Sequence, residues 1–244
     1  MHKVEIESKL CVVVPCYNEE RTIKALLTEV LNQSSVGQVV VINDSSTDRS
    51  EEIIRSIEDK RISYLRNEQN LGKGASVAKG INLCEMPFIV IQDADLEYSP
   101  REYERMLLPL IDGRADAVFG SRFLAHDGRR VLYFWHHVGN SFLTLLSNIF
   151  TNLDLTDMET CYKMMKVDFA KRLKIREKRF GIEPEITAKL AKDNARIYEV
   201  AISYSGRTYA EGKKITWKDG FSALRCIILY NFFDLRSKDK RTHF

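Results

Sequence analysis

Pro87-Phe-Ile-Val-Ile-Gln-Asp-Ala-Asp-Leu-Glu97 is the stretch that decides the fold of this chain. An apolar run leads into two carboxylates, Asp93 and Asp95. Such a run is typical of a strand buried in a parallel sheet, and ligands of these sheets bind beyond the carboxyl ends of the strands. Extended spacing places Asp93 and Asp95 on one side, where their oxygens suit Mg²⁺ or Mn²⁺. The alternative is a turn in which these acids only provide solubility.

Apolar segments with strand and helix patterns alternate on both sides of this stretch. The pattern predicts further strands at residues 10–14, 39–42, 62–65, 117–119, 161–167 and 197–202. Helices are predicted at residues 19–31, after residue 47, and at 75–83, 100–111, 142–150 and 184–192. This alternation indicates right-handed βαβ units. We therefore expect an α/β fold with a mostly parallel central sheet, flanked by helices, and a Rossmann-like nucleotide-binding half.

The bulk composition is that of a folded protein. The chain has 244 residues, 44% of them hydrophobic and 29% charged, which excludes a disordered chain. Its net charge of +3 gives no indication of nucleic-acid binding. Basic residues crowd the last part of the chain, at Lys213, Lys214, Lys218, Arg225, Arg236, Lys238, Lys240 and Arg241. We predict one domain over residues 1–215 and a basic, apolar extension over 216–244, which either binds a phosphate-bearing or membrane partner or is a solvated tail.

Cysteine usage and the chain ends favour a cytoplasmic location. The five cysteines are dispersed without C-x-x-C spacing, which is typical of reduced thiols. Met1 to Lys9 is charged and has no apolar core, so we expect no signal peptide. Phe221 to Phe233 is interrupted by Arg225 and is too short to span a bilayer, but it suits a helix that lies on one. A peripheral position at the cytosolic membrane face fits these features.

Polar clusters fall at three predicted strand ends, at residues 15–19, 43–48 and 93–97. Converging strand ends form the nucleotide crevice of a doubly wound sheet. No G-x-G-x-x-G follows the first strand and no G-x-x-x-x-G-K-[ST] occurs, which disfavours dinucleotide enzymes and P-loop ATPases. Asn70-Leu-Gly-Lys-Gly74 fits either a phosphate-binding loop or a plain turn into a helix.

The ordered set of these motifs resembles family 2 glycosyltransferases with the GT-A fold. The motifs are Val14-Pro-Cys-Tyr-Asn-Glu19, Val41-Ile-Asn-Asp-Ser-Ser-Thr-Asp48, Asn70–Gly74, Asp93-Ala-Asp95, Gly120-Ser-Arg122, Asp157-Met-Glu-Thr-Cys-Tyr-Lys163, Phe180-Gly-Ile-Glu183 and Glu199-Val-Ala-Ile-Ser-Tyr204. The resemblance spans nearly the whole chain and is closest to dolichol- and polyprenyl-phosphate sugar synthases. Each motif is moderately specific, whereas their order is strongly so.

The resemblance implies a donor site. Pro15, Tyr17 and Glu19 match positions that hold the base and ribose, and Asp44 matches a nucleoside-binding acid. Asn43 departs from the usual pair of aspartates, which leaves the choice of base open. Lys73 falls in the donor-binding set.

The resemblance also implies a reaction centre. Asp93 and Asp95 match the metal-binding pair, with Glu97 as a possible third ligand, and Asp95 is counted as catalytic. Arg122 and Arg207 match phosphate-binding positions near the transfer centre. A simple surface ion pair is the alternative for Arg207. Lys213 and Lys214 belong to a basic loop that suits a diphosphate or an anionic acceptor.

These roles predict a metal-dependent inverting enzyme that moves a hexose from a GDP-mannose or UDP-glucose type donor to a polyprenyl phosphate. A hydroxyl acceptor on a glycan, protein or small molecule is the alternative, and it requires a base. Asp157, Glu183 and Glu185 are the candidates for that base. Their structural alternatives are a turn cap for Asp157 and favourable helix-dipole contacts for the two glutamates.

Two further readings concern other classes of function. A nucleotide-sugar-binding subunit without turnover is disfavoured because Asp93 and Asp95 are both present. A metal site at His136 and His137 is disfavoured because no matching Cys or His spacing occurs. We expect these histidines, beside Trp135, in a wall on the acceptor side, where the aromatic residues either contact lipid or pack in the core.

Overall fold

A seven-stranded sheet is the centre of the computed structural model, which describes residues 6–124, 130–131, 133–207 and 217–233. The strands are β1 (Leu10–Cys16), β2 (Val36–Asn43), β3 (Ile62–Arg66), β4 (Phe88–Ile91), β5 (Ala117–Ser121), β6 (Lys163–Lys166) and β7 (Ile197–Ala201). Their order across the sheet is β3-β2-β1-β4-β6-β5-β7. The apolar runs of β1 and β2 are almost wholly buried, as expected for strands covered on both faces.

Helices cover the sheet. They are α1 (Ile23–Leu31), α2 (Ser50–Arg55), α3 (Lys73–Asn82), α4 (Tyr103–Ile111), α5 (Phe134–Thr151), α6 (Val167–Leu173), α7 (Ile182–Lys192) and α8 (Trp217–Ile228). A 3₁₀ turn, Pro100–Glu102, precedes α4, and a π-helical turn, Leu229–Phe233, follows α8. Helix α3 packs on β1 and β2, and α4 packs on β5. The predicted α/β class with flanking helices is confirmed.

The pairing is parallel except at β6, so the predicted mostly parallel sheet is also confirmed. Strand β1 pairs in parallel with β2 and β4, and β5 pairs in parallel with β7. Strand β6 is antiparallel to both β4 and β5. The chain therefore enters β6 at the edge of the sheet where β4 and β5 end, so the segment before β6 lies among the polar residues of that edge.

Several predicted boundaries differ from the observed ones, and two of the differences have a clear structural cause. The strand predicted over residues 161–167 is shorter, because Cys161 N–H donates to the Tyr98 hydroxyl and the chain turns into α6 after Lys166. Helix α5 begins at Phe134 rather than at Phe142. Its first turns are exposed, so they lack the inward apolar stripe that marks a buried amphipathic helix.

Helix α8 and the turn after it pack on the rest of the domain. Cys226 and Tyr230 are buried against Ala188 of α7. The division at residues 215 and 216 stays a prediction, since the described residues resume only at 217. Lys213 and Lys214 lie outside the described residues, as does the basic end from residue 234. Across the described ranges, no helix is both long and apolar enough to cross a membrane.

Candidate functional site

Arg207 gathers three of the predicted site carboxylates at the edge where β1 and β4 end. Its Nη2 lies 2.6 Å from Asp95 Oδ2 and its Nε lies 2.9 Å from Glu97 Oε1. Its Nη1 lies 3.6 Å from Glu19 Oε2. The Arg207 side chain is largely buried, with 21% of its surface exposed. Arg207 is therefore the cation at the centre of a cluster of three carboxylates. The alternative of a simple surface ion pair for Arg207 does not describe this arrangement.

Asp95 lies at a point where negative charge is costly. Burial, followed by the proximity of Asp93 and Glu97, raises the pKa of Asp95 to about 7. Arg207 opposes that rise, and the Glu97 backbone N–H also donates to Asp95 Oδ1 at 3.1 Å. Neighbouring carboxylates that repel one another in this way favour an added cation.

The donor set fits a hard divalent ion held by two carboxylates. Asp93 and Asp95 supply oxygen ligands, and Mg²⁺ or Mn²⁺ commonly takes one or two such ligands together with substrate phosphates. Within the described residues, no group of three or more His, Cys, Asp or Glu side chains is placed to hold a metal. Glu97 is engaged elsewhere, since Oε1 accepts from Arg207 and Oε2 accepts from the Tyr204 hydroxyl at 2.6 Å. Its role as a third ligand stays a prediction.

Lys73 links Asp93 to a second carboxylate, Glu183. Lys73 Nζ lies 2.9 Å from Asp93 Oδ1 and 2.9 Å from Glu183 Oε1. Burial disfavours the charge on Lys73, but the two carboxylates outweigh it and raise its pKa well above the usual range. Lys73 thus fixes Asp93 from one side while Arg207 holds Asp95 from the other.

The glycines around Lys73 are required by close packing. A Cβ at Gly72 would lie 2.3 Å from Lys178 O, and one at Gly74 would lie 2.0 Å from Glu177 O. Gly72 also has φ = +95°, which disfavours a side chain. Because the backbone of residues 177–178 occupies this space, the motif is a tight turn into α3 that positions Lys73.

Glu185 stabilises the backbone next to the residues that pack against Gly72 and Gly74. It is fully buried and accepts from the backbone N–H groups of Arg176 at 2.8 Å and Glu177 at 2.7 Å. It also forms an ion pair with Lys189. These contacts occupy its carboxylate within the fold, so the structure does not place it with the predicted reaction centre.

Asp44 organises the predicted nucleoside side of the site. It is buried and accepts from Asn67 Nδ2 at 2.7 Å and from the backbone N–H groups of Leu71 and Gly72 at 2.9 and 2.7 Å. Asn43 has a local task as well, because its Oδ1 accepts from Ser46 N–H at 2.9 Å. Asn43, which replaces the first of the usual two aspartates, is thus a neutral residue that stabilises a turn. The neighbouring Asp44 carboxylate holds the loop at Leu71 and Gly72.

The loop after β1 is tied to the loop after β2. Asn18 N–H donates to Ser46 Oγ at 3.0 Å, and Glu19 N–H donates to Ser50 Oγ at 2.9 Å. Tyr17, the residue between Cys16 and Asn18, is 41% exposed, so its ring is accessible for stacking. Pro15 is half-buried within β1. These positions suit a base and ribose, and their assignment stays a prediction.

Arg122 and Asp157 form a buried pair beside the cluster. Asp157 Oδ2 accepts from Arg122 Nε at 2.7 Å and from Arg122 N–H at 3.0 Å, and Oδ1 accepts from Nη2 at 2.7 Å. Arg122 Nη2 also donates to Asn140 Oδ1 of α5 at 3.1 Å. Asp157 is fully buried. The predicted base and the predicted phosphate ligand therefore neutralise each other.

Tyr204 connects this pair to the carboxylate cluster. Its hydroxyl donates to Glu97, and the Arg122 guanidinium carbon lies 5.2 Å from the centre of its ring. Tyr98 lies on its other side, with ring centres 5.1 Å apart. The predicted catalytic residues Asp95, Arg207, Arg122 and Asp157 thus belong to one connected site.

Two charged residues, one in the segment before β6 and one at the first position of β6, were not singled out from the sequence. Lys163 is buried and donates to the carbonyls of Met158 at 2.7 Å and Thr160 at 2.6 Å. Burial lowers its pKa to about 8. Glu159 carries a buried oxygen without a hydrogen-bond partner. Their position in the motif at residues 157–163 was a usable signal, whereas their burial is visible only in three dimensions.

Comparison with known proteins defines the family of this site. Residues 11–174 match the model of the family described as "Glycosyl transferase family 2". The chain belongs to glycosyl transferase family 2. This confirms the family predicted from the ordered motifs, and glycosyl transfer is the activity of that family.

Relatives cover most of this family 2 glycosyltransferase. An uncharacterised protein of Methanocaldococcus jannaschii is 28% identical over 220 residues, covering 83% of this chain and 93% of its own length. A UDP-N-acetylglucosamine–dolichyl-phosphate N-acetylglucosaminyltransferase of Methanococcus voltae is 22% identical over 224 residues. This match covers 83% of this chain and 89% of the relative's own length.

A solved structure supports the fold of the glycosyltransferase. Glucosyl-3-phosphoglycerate synthase from Mycobacterium tuberculosis, in complex with uridine diphosphate, superposes with a TM-score of 0.72 at 16% identity, covering 91% of this chain and 80% of its own. A second structure of that synthase contains Mn²⁺, uridine diphosphate and glucosyl-3-phosphoglycerate. The GT-A fold expected from the motifs is confirmed.

Proposed function

We propose that this glycosyltransferase transfers a hexose from a nucleotide sugar of the GDP-mannose or UDP-glucose type to a polyprenyl phosphate, with inversion at the anomeric carbon. The observation that carries the proposal is the position of Arg122. This largely buried cation lies beside the carboxylate cluster and also contacts Asn140 of α5, a helix with an exposed aromatic face. The Methanococcus voltae relative, whose name specifies a dolichyl-phosphate acceptor, supports the same class of acceptor.

The donor diphosphate belongs at Asp93 and Asp95. A divalent ion bound there neutralises the negative charge of the departing nucleoside diphosphate. Arg207 Nη2 contacts Asp95 Oδ2, and neutralisation of Asp95 by a bound ion would weaken this contact and allow Nη2 to donate to a phosphate instead. Lys73 keeps Asp93 oriented through its second contact with Glu183. In this assignment, Asp44 and the residues from Pro15 to Glu19 hold the nucleoside.

The acceptor phosphate belongs near Arg122. A phosphate monoester is already anionic, so it attacks the anomeric carbon without a strong base. The carboxylates considered as bases are all paired with cations: Asp157 with Arg122, Glu183 with Lys73 and Glu185 with Lys189. Pairing with a cation stabilises the charged carboxylate and weakens it as a base. This charge pattern favours a phosphate acceptor over a hydroxyl acceptor.

An apolar surface extends from the acceptor side of the site. On α5, Trp135 is 77% exposed and Phe142 is 54% exposed, and no charged residue occurs within the helix. Phe232, in the turn after α8, contacts Phe150 with ring centres 4.9 Å apart, which joins the two elements. We propose that this surface rests on the bilayer that carries the polyprenyl phosphate. His136 and His137 lie on the same helix, where the His136 ring is tilted against Tyr133 and the His137 ring meets Phe123 edge to face.

Transfer to a hydroxyl is the second candidate. The structural likeness to glucosyl-3-phosphoglycerate synthase, at 16% identity, concerns the fold and does not distinguish the two candidates. Incubation of the protein with Mn²⁺ and a panel of nucleotide sugars, with and without polyprenyl phosphate, separates the candidates. Nucleoside diphosphate release that depends on the lipid phosphate supports our proposal. Transfer only to hydroxyl acceptors refutes it, and so does donor binding without turnover.

Substitution of Asp95 tests the reaction centre directly. We expect Asp95→Ala to abolish transfer and to leave the circular-dichroism spectrum unchanged. Asp112→Ala, on the exposed end of α4, is the matched control and should retain activity. Wild-type turnover in the Asp95 variant would overturn the assignment of the metal pair.

Vesicle flotation tests the membrane contact. We expect the protein to float with vesicles and the double variant Trp135→Ser, Phe142→Ser to lose flotation, because both exposed rings would be replaced by small polar groups. Tyr198→Ser, which removes an exposed ring from β7, is the control and should still float. Equal flotation of all three proteins, or no flotation of any, would contradict the proposed surface.

A further inference from the structure

Glu159 carries an oxygen that the fold leaves unpaired. Among the described residues, its Oε1 is one of two buried side-chain oxygens or nitrogens without a hydrogen-bond partner, and Ser35 Oγ is the other. The Glu159 side chain as a whole is half-buried, so it reaches the surface of the site. A buried carboxyl oxygen without a partner destabilises a fold, which makes such an atom a candidate for binding a ligand.

The backbone on both sides of Glu159 is fixed. Asp157, two residues earlier, is clamped by Arg122, and its own N–H donates to Glu199 Oε1 at 3.1 Å. On the other side, Thr160 Oγ1 donates to Gly120 O at 2.6 Å. Lys163 Nζ holds the carbonyls immediately before and after Glu159. The carboxyl is thus presented from a rigid segment, as specific recognition requires.

The charges around Glu159 select the chemistry of its partner. Lys163 and Arg122 are the nearby cations, and Glu183 and Asp157 are the nearby anions. A phosphate in direct contact with Glu159 would be repelled by its carboxyl group and by those of Glu183 and Asp157, and a metal ion in the same position would be repelled by the two cations. Burial, followed by the proximity of Glu183, raises the pKa of Glu159 to about 8. A neutral group that both donates and accepts a hydrogen bond, such as a hydroxyl, fits this environment.

The position of Glu159 indicates which part of the substrate carries this hydroxyl. Glu183 is near Glu159 and is linked through Lys73 to Asp93, on the side of the site assigned to the diphosphate. Arg122, which is also near Glu159, is assigned to the acceptor phosphate. A ligand group at Glu159 is therefore near both the diphosphate position and the acceptor position, and the group that has to be near both is the transferred sugar.

We infer that Glu159 binds a hydroxyl of the transferred hexose and so determines which sugar the enzyme accepts. This inference rests on the proposed function, because it takes the donor to be a nucleotide sugar. It assigns Glu159 to substrate recognition and leaves the binding of the nucleoside diphosphate to other residues.

Calorimetric binding in the presence of Mn²⁺ tests the inference without requiring turnover. The probes are UDP-glucose and GDP-mannose, each compared with UDP or GDP. We expect Glu159→Ala to weaken binding of the tighter nucleotide sugar about 10- to 100-fold and to change diphosphate binding less than twofold. Glu159→Gln keeps the size and hydrogen bonding of the side chain, so it should bind the same nucleotide sugar within about threefold of wild type.

A series of donors that lack one sugar hydroxyl completes the test. For one deoxy donor, wild type and Glu159→Ala should bind equally, because the contacted hydroxyl is then missing from both complexes. An equal loss of affinity across the whole series would overturn the inference, as would weakened binding of the diphosphate alone. Turnover that Glu159→Gln loses as completely as Glu159→Ala would instead identify a base. Failure of wild type to bind either nucleotide sugar would overturn the proposed function and this inference together.

Discussion

Replacement of Asp157 by Asn separates an anchoring role from a catalytic base. The change keeps the shape of the side chain but removes the charge that faces Arg122 across two contacts of 2.7 Å. Removing one partner of a buried ion pair costs about 3–5 kcal/mol, because the other charge stays buried. In a domain of this size, each kcal/mol lowers Tm by about 2–4 °C, so we expect a decrease of roughly 6–20 °C.

Urea unfolding followed by circular dichroism measures this loss, with Arg122→Gln and the double variant completing a cycle. Because each single variant already leaves its partner unpaired, the double variant should be about 2–3 kcal/mol more stable than additivity predicts. A base that does not support the fold would give a different pattern. In that case, Asp157→Asn would cost less than about 1 kcal/mol while abolishing transfer, which would refute the anchoring role.

Three further predictions concern the cluster and its supports. Arg207→Gln should tighten Mn²⁺ binding to the nucleotide-free protein about tenfold by calorimetry, because it removes a competing cation from Asp95; unchanged or weaker binding would contradict this. Since the pKa of Asp95 is raised to about 7, Mn²⁺ affinity should fall by up to tenfold per pH unit below 7, and a constant affinity between pH 5.5 and 7 would show the reasoning to be wrong. Between about pH 4 and 7, Asp95 is protonated in the metal-free folded protein but ionised in the unfolded chain. The contribution of Asp95 to the free energy of unfolding therefore decreases as the pH rises through this range. Gly74→Ala should cost about 1–3 kcal/mol in urea unfolding because its Cβ would meet Glu177 O, whereas Gly139→Ala, with open space around it, should not destabilise; equal stabilities would count against the packing argument.

Much of the fold was predictable because buried strands and helices have recognisable apolar patterns in the local sequence. The apolar runs of β1, β2 and β4 identify strands, and their polar ends identify the edge where the site lies. The helical pattern of α5 is weaker in the sequence, because the aromatic residues of its first turns face solvent. The antiparallel direction of β6 has no local signature, because direction depends on which strands it pairs with.

The partners of the site residues were less predictable than the residues themselves. Arg207 and Asp95 are 112 positions apart, and no spacing rule joins them. Gly72 and Gly74 looked compatible with a phosphate loop, yet the backbone at residues 177–178 explains both of them. Asp157 and Glu159 belong to one motif, but only their surroundings separate a carboxylate held by Arg122 from a carboxyl with an open position.

The antiparallel course of β6 also has a structural consequence. The chain leaves the sheet after β5 and re-enters it at β6 from the same edge, and the Arg122–Asp157 pair joins the two ends of this excursion. The segment between those ends, which includes α5, is therefore an excursion from the sheet whose two ends are joined by an ion pair, and α5 packs on α7 and α8. A change in the length of this segment would therefore leave the strand registers unaltered. Under the proposed function, exchange of this segment would change the acceptor side of the site and leave the loops after β1, β2 and β4 in place.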